Sequence, residues 1–227
     1  FFFKQKTAYE ISTRDWSSDV CSSDLADDVE RAWLQRHPQG TVVRRDLAQS
    51  PVPHIESLTI EGYYTAPEAM TPALRQATAL SDQLIAELKG ADLVLIATPI
   101  YNFSVPSALK AWIDHVVRIG HTFAFDGQQF TGLVTRPHAV LALAYGADGY
   151  QGPLMAMDHL KPYLSQLLGF LGLQSVATVS AEATTGAPDV AQSRLQHARS
   201  QVPALFDGAR SEEHTSELQS RVDISYA

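Results

Sequence analysis

Apolar residues first repeat with helical spacing at Val29, Trp33 and Leu34, a face that stops at His37-Pro38-Gln39-Gly40. Residues 41–47 read as a short strand, and residues 48–70, dense in Pro and Tyr, as a long loop. Thr71 before Pro72 has the chemistry of an N-cap and first-turn proline, and Leu74, Leu80, Leu84, Ile85 and Leu88 carry one apolar face to Gly90. Residues 92–98, DLVLIAT, are continuously apolar, which predicts a strand buried on both faces of a parallel sheet. Residues 99–104 interrupt the pattern, and helical spacing resumes over 106–119 through Leu109, Trp112, Ile113 and Val116. Residues 123–134, centred on Asp126-Gly127, predict a hairpin. A second buried strand is expected at 139–145, a loop at glycines 146, 149 and 152, and an apolar helix over 154–171 interrupted near Pro162. A last strand at 175–181 and a helix at 189–206 follow. Strands alternating with helices predict one α/β domain whose parallel sheet is covered on both faces.

Composition narrows the function. A net charge of −8 argues against nucleic acid or an anionic membrane surface as partner, because nothing basic accumulates to neutralise phosphates. The apolar runs are far shorter than the roughly 20 residues of a bilayer span. One cysteine, Cys21, builds neither a disulfide framework nor a cysteine metal site, which fits the cytoplasm. The eight histidines lack metal-binding spacing, and neither G-x-G-x-x-G nor a P-loop occurs.

The two ends read differently from the middle. Residues 1–25, FFFKQKTAYEISTRDWSSDVCSSDL, have no periodicity of useful length and lack the apolar run of a secretory signal. Both this segment and residues 210–227 resemble translated sequencing-adapter sequence, so three parts are expected: a foreign segment at 1–25, with Trp16 and Cys21; the domain at 26–209; and a foreign tail at 210–227.

In open α/β sheets ligands bind beyond the carboxyl ends of the strands. Two loops qualify. In the first, Pro99, Ile100, Tyr101, Asn102 and Phe103 offer a rigid exit, aromatic surface, backbone N–H groups and an amide suited to the edge of a flat heterocycle. In the second, Ala144, Tyr145, Gly146 and Ala147 let the backbone approach a ligand while Tyr145 stacks or caps. An ordinary strand-to-helix connection and a glycine turn without ligand are the plain alternatives. Asp114 and His115 are adjacent on one helix and do not face each other, which favours surface or interface roles. His121 and His159 read as solvated or packing histidines. Glu182 stands either near the ligand edge or as the cap of the last helix.

The stretch PIYNFSVPSALKAWIDH, with FTGLVTRPHAVLALAYGADGY, PYLSQLLGFLGL and VSAEA, resembles bacterial FMN-dependent NADH-azoreductases and NADH:quinone oxidoreductases over residues 26–209. The resemblance implies a flavodoxin-like doubly wound sheet of order 2-1-3-4-5, with FMN held at residues 99–103 and 144–147. It implies NADH or NADPH as electron donor, a quinone or azo compound as acceptor, and a homodimer with the flavin near the interface. Phe125 and Phe170 match aromatic positions lining the substrate pocket, and the flavin-mediated reaction requires no protein catalytic residue. Two departures stand out. Ala144-Tyr145-Gly146-Ala147 replaces the family's Ser-Arg-Gly-Gly. The family's first strand and its Ser-rich phosphate loop do not occur, so the central strand is expected to be missing or replaced, and only chance would present Ser22 or Ser23 to a phosphate. A flavodoxin-type electron carrier and an inactive fragment are the alternatives; the hairpin and the long 48–70 segment weigh against the carrier.

Overall fold

The computed structural model describes residues 5–13, 19–173 and 175–206. The tail 210–227, Trp16 and the Cys21 side chain lie outside that description. Five parallel strands, β1 (Thr7–Ser12), β2 (Thr41–Asp46), β3 (Leu93–Pro99), β6 (His138–Ala144) and β7 (Val176–Ala181), form one sheet in the order β2-β1-β3-β6-β7. This is the expected 2-1-3-4-5 order once the small antiparallel hairpin, β4 (Phe123–Phe125) with β5 (Phe130–Gly132), is set aside. Alternation along β3 explains its unbroken apolar sequence. Leu93, Leu95 and Ala97 face α1 (Asp19–Arg36) and α6 (Pro188–Gln201), whereas Val94 and Ile96 face α3 (Pro72–Gly90), α4 (Ser107–Val116) and α5 (Lys161–Leu171). Thr71 caps α3 as expected, its hydroxyl accepting from the Leu74 N–H at 3.2 Å.

Several expectations are corrected. Residues 1–25 are not without regular structure: Thr7–Ser12 occupies the central place in the sheet and Asp19 opens α1. The place is therefore filled rather than vacant. β1 registers Ile11 against Ile96 of β3 and Arg45 of β2, and Tyr9 and Ile11 are fully buried. Residues 48–70 are not one loop, since α2 (Ser57–Tyr64) and a 3-10 turn (Pro67–Ala69) lie within them. Gly62 permits that helix, because a Cβ there would stand 2.5 Å from Thr78 Cγ2 on α3. α4 ends at Val116 rather than 119, where the Thr122 hydroxyl donates to the Val116 carbonyl at 2.6 Å. α5 begins at Lys161, after a 3-10 turn (Met155–Met157), because Asp158 accepts the N–H groups of Leu160 and Lys161.

β1 carries one residue that a strand buried on both faces rarely tolerates. The Glu10 side chain is 1% exposed, and Arg44 Nε stands 3.8 Å from it at the rim. Desolvating a carboxylate costs several kcal/mol, so a Glu at this depth requires partners, of which Arg44 is one.

Candidate functional site

Both candidate loops lie at the carboxyl edge of the sheet, after the neighbouring strands β3 and β6, and the Ile100 N–H donates to the Ala144 carbonyl at 2.9 Å. Tyr101 and Ser104 exchange backbone hydrogen bonds at 2.9 Å in each direction, which closes a tight turn. Its central residues, Asn102 and Phe103, have φ of 46° and 71°, the pair of left-handed conformations of a type I′ turn. Asn adopts that state readily, whereas Phe pays for it with about 1–2 kcal/mol. Phe103 is nonetheless held open to solvent, and the His159 N–H fixes its carbonyl at 2.9 Å.

The second loop is fixed carbonyl by carbonyl. Tyr145 O accepts from the N–H and hydroxyl of Thr184, Gly146 O from the N–H and hydroxyl of Thr185, and Ala147 O from the Ala183 N–H, at 2.9 to 3.2 Å. In a planar trans peptide the next N–H points opposite to the carbonyl. The N–H groups of Gly146, Ala147 and Asp148 are thus turned away from residues 183–185, and none finds a protein acceptor among the described residues. The same holds for the N–H groups of Asn102 and Phe103. Orphan amide donors on two joined loops suit the carbonyl and nitrogen edge of a flat heterocycle, so the residues present fit the ring of a flavin. Beside the first loop lies an open depression of about 610 Å³, lined by Tyr101, Asn102, Ser104, Pro106, Lys110 and Tyr163.

The structure separates the other candidates. Tyr145 is 2% exposed; its ring lies 4.8 Å from that of Tyr150 and its hydroxyl donates to Asp158 at 3.0 Å. Burial and the Asp158 carboxylate push this phenol well above its ordinary value, so Tyr145 presents backbone to the site and its ring does not stack there. Asp114 pairs with Lys110 at 2.5 Å. His115, expected at a surface or interface, is buried: Nε2 donates to the Pro53 carbonyl at 3.0 Å and Nδ1 meets the Tyr63 hydroxyl at 3.3 Å, which clamps the 48–70 segment. His121 has its pKa lowered by burial and by neighbouring Arg118, and lies beyond the far end of α4. Ser22 is buried within α1.

Phe125 and Phe170 fall in one aromatic cluster, with Phe130 4.6 Å from Phe125 and 5.6 Å from Phe170. That cluster sits at the C-terminal end of α5, about 15 Å along the helix from Leu160 and the first loop. A larger recess of about 650 Å³ lies at the opposite, amino edge of the sheet, where Arg136 is paired with Asp92 and Arg36 with the Ala32 and Pro203 carbonyls. Its cations are engaged in holding the fold. Among the described residues no cluster of His, Cys, Asp and Glu is arranged for a metal, and no helix is long and apolar enough to cross a membrane.

A family profile described as flavodoxin-like fold matches residues 17–205. An FMN-dependent NADH:quinone oxidoreductase of Xanthobacter autotrophicus is 54% identical over 154 residues, 67% of this chain and 74% of that protein. The chain belongs to the flavodoxin-like family of FMN-dependent NADH:quinone oxidoreductases. A second such oxidoreductase, from Hydrogenovibrio crunogenus, is 39% identical over 180 residues, 79% of this chain and 89% of that one. Among solved structures, an azoreductase from Bacillus anthracis superposes with a TM-score of 0.77 at 23% identity, covering 88% of this chain and all of that one. An FMN-dependent NADH-azoreductase of the same species, in complex with FMN, gives 0.75 at 19% identity, with 89% of this chain covered and 100% of that one. At those identities the likeness speaks for the fold. The family match begins at residue 17, after β1.

Glu182 was legible only as a choice between two roles, and Asp158, Thr184 and Thr185 were missed. The one signal was their position: Glu182, Thr184 and Thr185 directly follow the carboxyl end of β7, and Asp158 precedes α5.

Proposed function

We propose that this protein is an FMN-dependent NAD(P)H oxidoreductase that reduces quinones and aromatic azo compounds in ping-pong order. The observation that carries the reading is the set of orphan amide donors at residues 146–148, joined through Ile100 and Ala144 to the left-handed turn at Asn102 and Phe103. When bound, FMN supplies two-electron hydride transfer between the nicotinamide and the acceptor. The chain binds and orients. Pro99, Ile100, Tyr101, Asn102 and Phe103 border one side of the ring, and Ala144, Tyr145, Gly146 and Ala147 contribute backbone to the other. No side chain serves as nucleophile.

Phe170, near the C-terminal end of α5, and Phe125, joined to it through Phe130, stand too far from the first loop to cover the ring of their own chain. They line the acceptor pocket of a partner copy, which makes the working form a homodimer. The exposed rings of Phe125 and Phe130 support that reading, since apolar surface of this kind is usually covered by a partner. We place the enzyme in the cytoplasm. We also keep residues 1–25 and 210–227 as foreign to the 26–209 domain; Glu10 buried in β1 supports this for the first segment.

FMN titration tests the function, once on the full chain and once on a variant whose residues 1–25 are replaced by a family-type first strand and Ser-rich phosphate loop. The replaced variant is expected to bind FMN and to oxidise NADH with a quinone acceptor, more tightly and faster than the chain as it stands. A folded replaced variant that binds no flavin overturns the assignment. Flavin binding without NADH oxidation favours the electron carrier.

A further inference from the structure

We infer that Glu182 is a positioning residue that sets the amide donors of residues 146–148 for the ring edge of the flavin, a role that rests on the oxidoreductase reading above. Glu182 follows directly after β7 and is 7% exposed. A carboxylate at that depth is tolerated only when its oxygens are occupied by donors. Both are: Oε2 accepts from the Gly149 N–H at 2.7 Å and Oε1 from the Gln151 N–H at 2.8 Å. Neither oxygen bonds an amide of α6, which begins six residues later at Pro188, so the carboxylate caps the loop and not the helix.

The loop is thereby held at both ends. Residues 183–185 take the carbonyls of 145–147 at its start, and Glu182 takes two amides at its end. Gly149 adopts φ of 103°, a conformation with little intrinsic preference to keep the segment in place. Without the carboxylate, the ties among the described residues that remain between residues 148–151 and the β7 side are the exposed Asp148–Arg194 pair and a long, exposed hydrogen bond from Gln151 Nε2 to Ser180 Oγ at 3.4 Å, and exposed contacts of this kind contribute little. Loss of Glu182 therefore frees the far end of the loop, and the planes whose N–H groups face the ligand side keep their carbonyl anchors on residues 183–185 but lose the second constraint that holds them in place.

Three variants of the full chain and of the replaced variant test this: Glu182→Ala, Glu182→Gln and, as control, Arg194→Ala. Amide exchange at Gly149 and Gln151 is measured without flavin, and FMN affinity and the reduction potential of bound FMN are measured by titration. Glu182→Ala is expected to speed exchange at both amides and to weaken FMN binding about tenfold or more, since two charge-assisted hydrogen bonds are lost. Its bound flavin is expected to have a more negative potential, because ordered N–H donors favour the electron-rich reduced ring. Glu182→Gln keeps one carbonyl acceptor and is expected to recover most of the affinity, to within about threefold of the parent. Arg194→Ala should match the parent. Unchanged affinity and potential in Glu182→Ala, with the parent binding FMN, overturn the positioning role alone. Failure of both parents to bind FMN overturns the oxidoreductase reading and this role with it.

Discussion

Replacing Tyr9 with alanine is expected to lower the unfolding free energy by about 3–5 kcal/mol in urea titration, the cost of truncating a large ring in a packed core. Tyr9 is fully buried at the middle of β1, its ring centroid 6.4 Å from that of Trp112, and its hydroxyl accepts the Trp112 indole N–H at 3.2 Å. The variant leaves both a cavity and a buried donor without its acceptor. A loss below about 1 kcal/mol would show that β1 is not seated in the sheet, and residues 1–25 would then be an appendage to a four-stranded remainder.

The same phenol makes an alkaline signature. Burial, with a further push from Glu87, raises the Tyr9 pKa far above its ordinary 10.0, and burial with Asp158 does the same to Tyr145. Unfolding returns both groups to the ordinary value. Below about pH 10 folded and unfolded chains hold these protons equally, so the stability is fully present; above it only the unfolded chain releases them, and stability falls as pH rises. Melting temperature is expected to decline from about pH 10 upward, and Tyr9→Phe with Tyr145→Phe should flatten that decline. An equally steep decline in the double variant would place its origin in other groups.

Gly132→Ala is expected to cost about 3 kcal/mol or more, although it adds a single methyl group. A Cβ at Gly132 would stand 2.3 Å from Gly172 N and 2.4 Å from Leu171 C, both backbone atoms at the end of α5. Backbone cannot rotate out of the way as a side chain does. Gly172 has φ of 109°, and Val134 donates to the Leu171 carbonyl at 2.8 Å across the same seam. The methyl group must therefore pry the β4-β5 hairpin from the helix end. Under the homodimer reading, a surviving fraction should keep its FMN affinity and show a raised KM for the quinone, because the displaced Phe125 serves the partner's pocket. Stability within about 0.5 kcal/mol of the parent would contradict the close approach.

Much of this architecture was legible because local rules and global burial agree. The DLVLIAT run could only be a strand covered on both sides, and the Thr71-Pro72 pair marked the start of α3 to the residue. Where they disagree, the reading failed. TAYEIS is a poor interior strand because of Glu10, yet it fills the gap between β2 and β3, where unpaired edges on both neighbours reward almost any extended segment. The α2 helix is eight residues long and owes its place to Gly62 lying on Thr78, a contact with no trace in local periodicity.

The site divides in the same way. By itself the sequence determined which strands end in loops at the carboxyl edge of the sheet and that Pro99 to Phe103 and Ala144 to Ala147 compose them, because strand ends and glycine-rich turns are written in local pattern. Only the tertiary structure decided which way those loops present their atoms. It turned the Tyr145 ring inward to Asp158, aimed three amides outward by anchoring their carbonyls on residues 183–185, and set Phe125 and Phe170 at the far end of α5. Peptide orientation depends on partners distant along the chain, here 36 to 39 residues away, and such partners meet only when the sheet has formed.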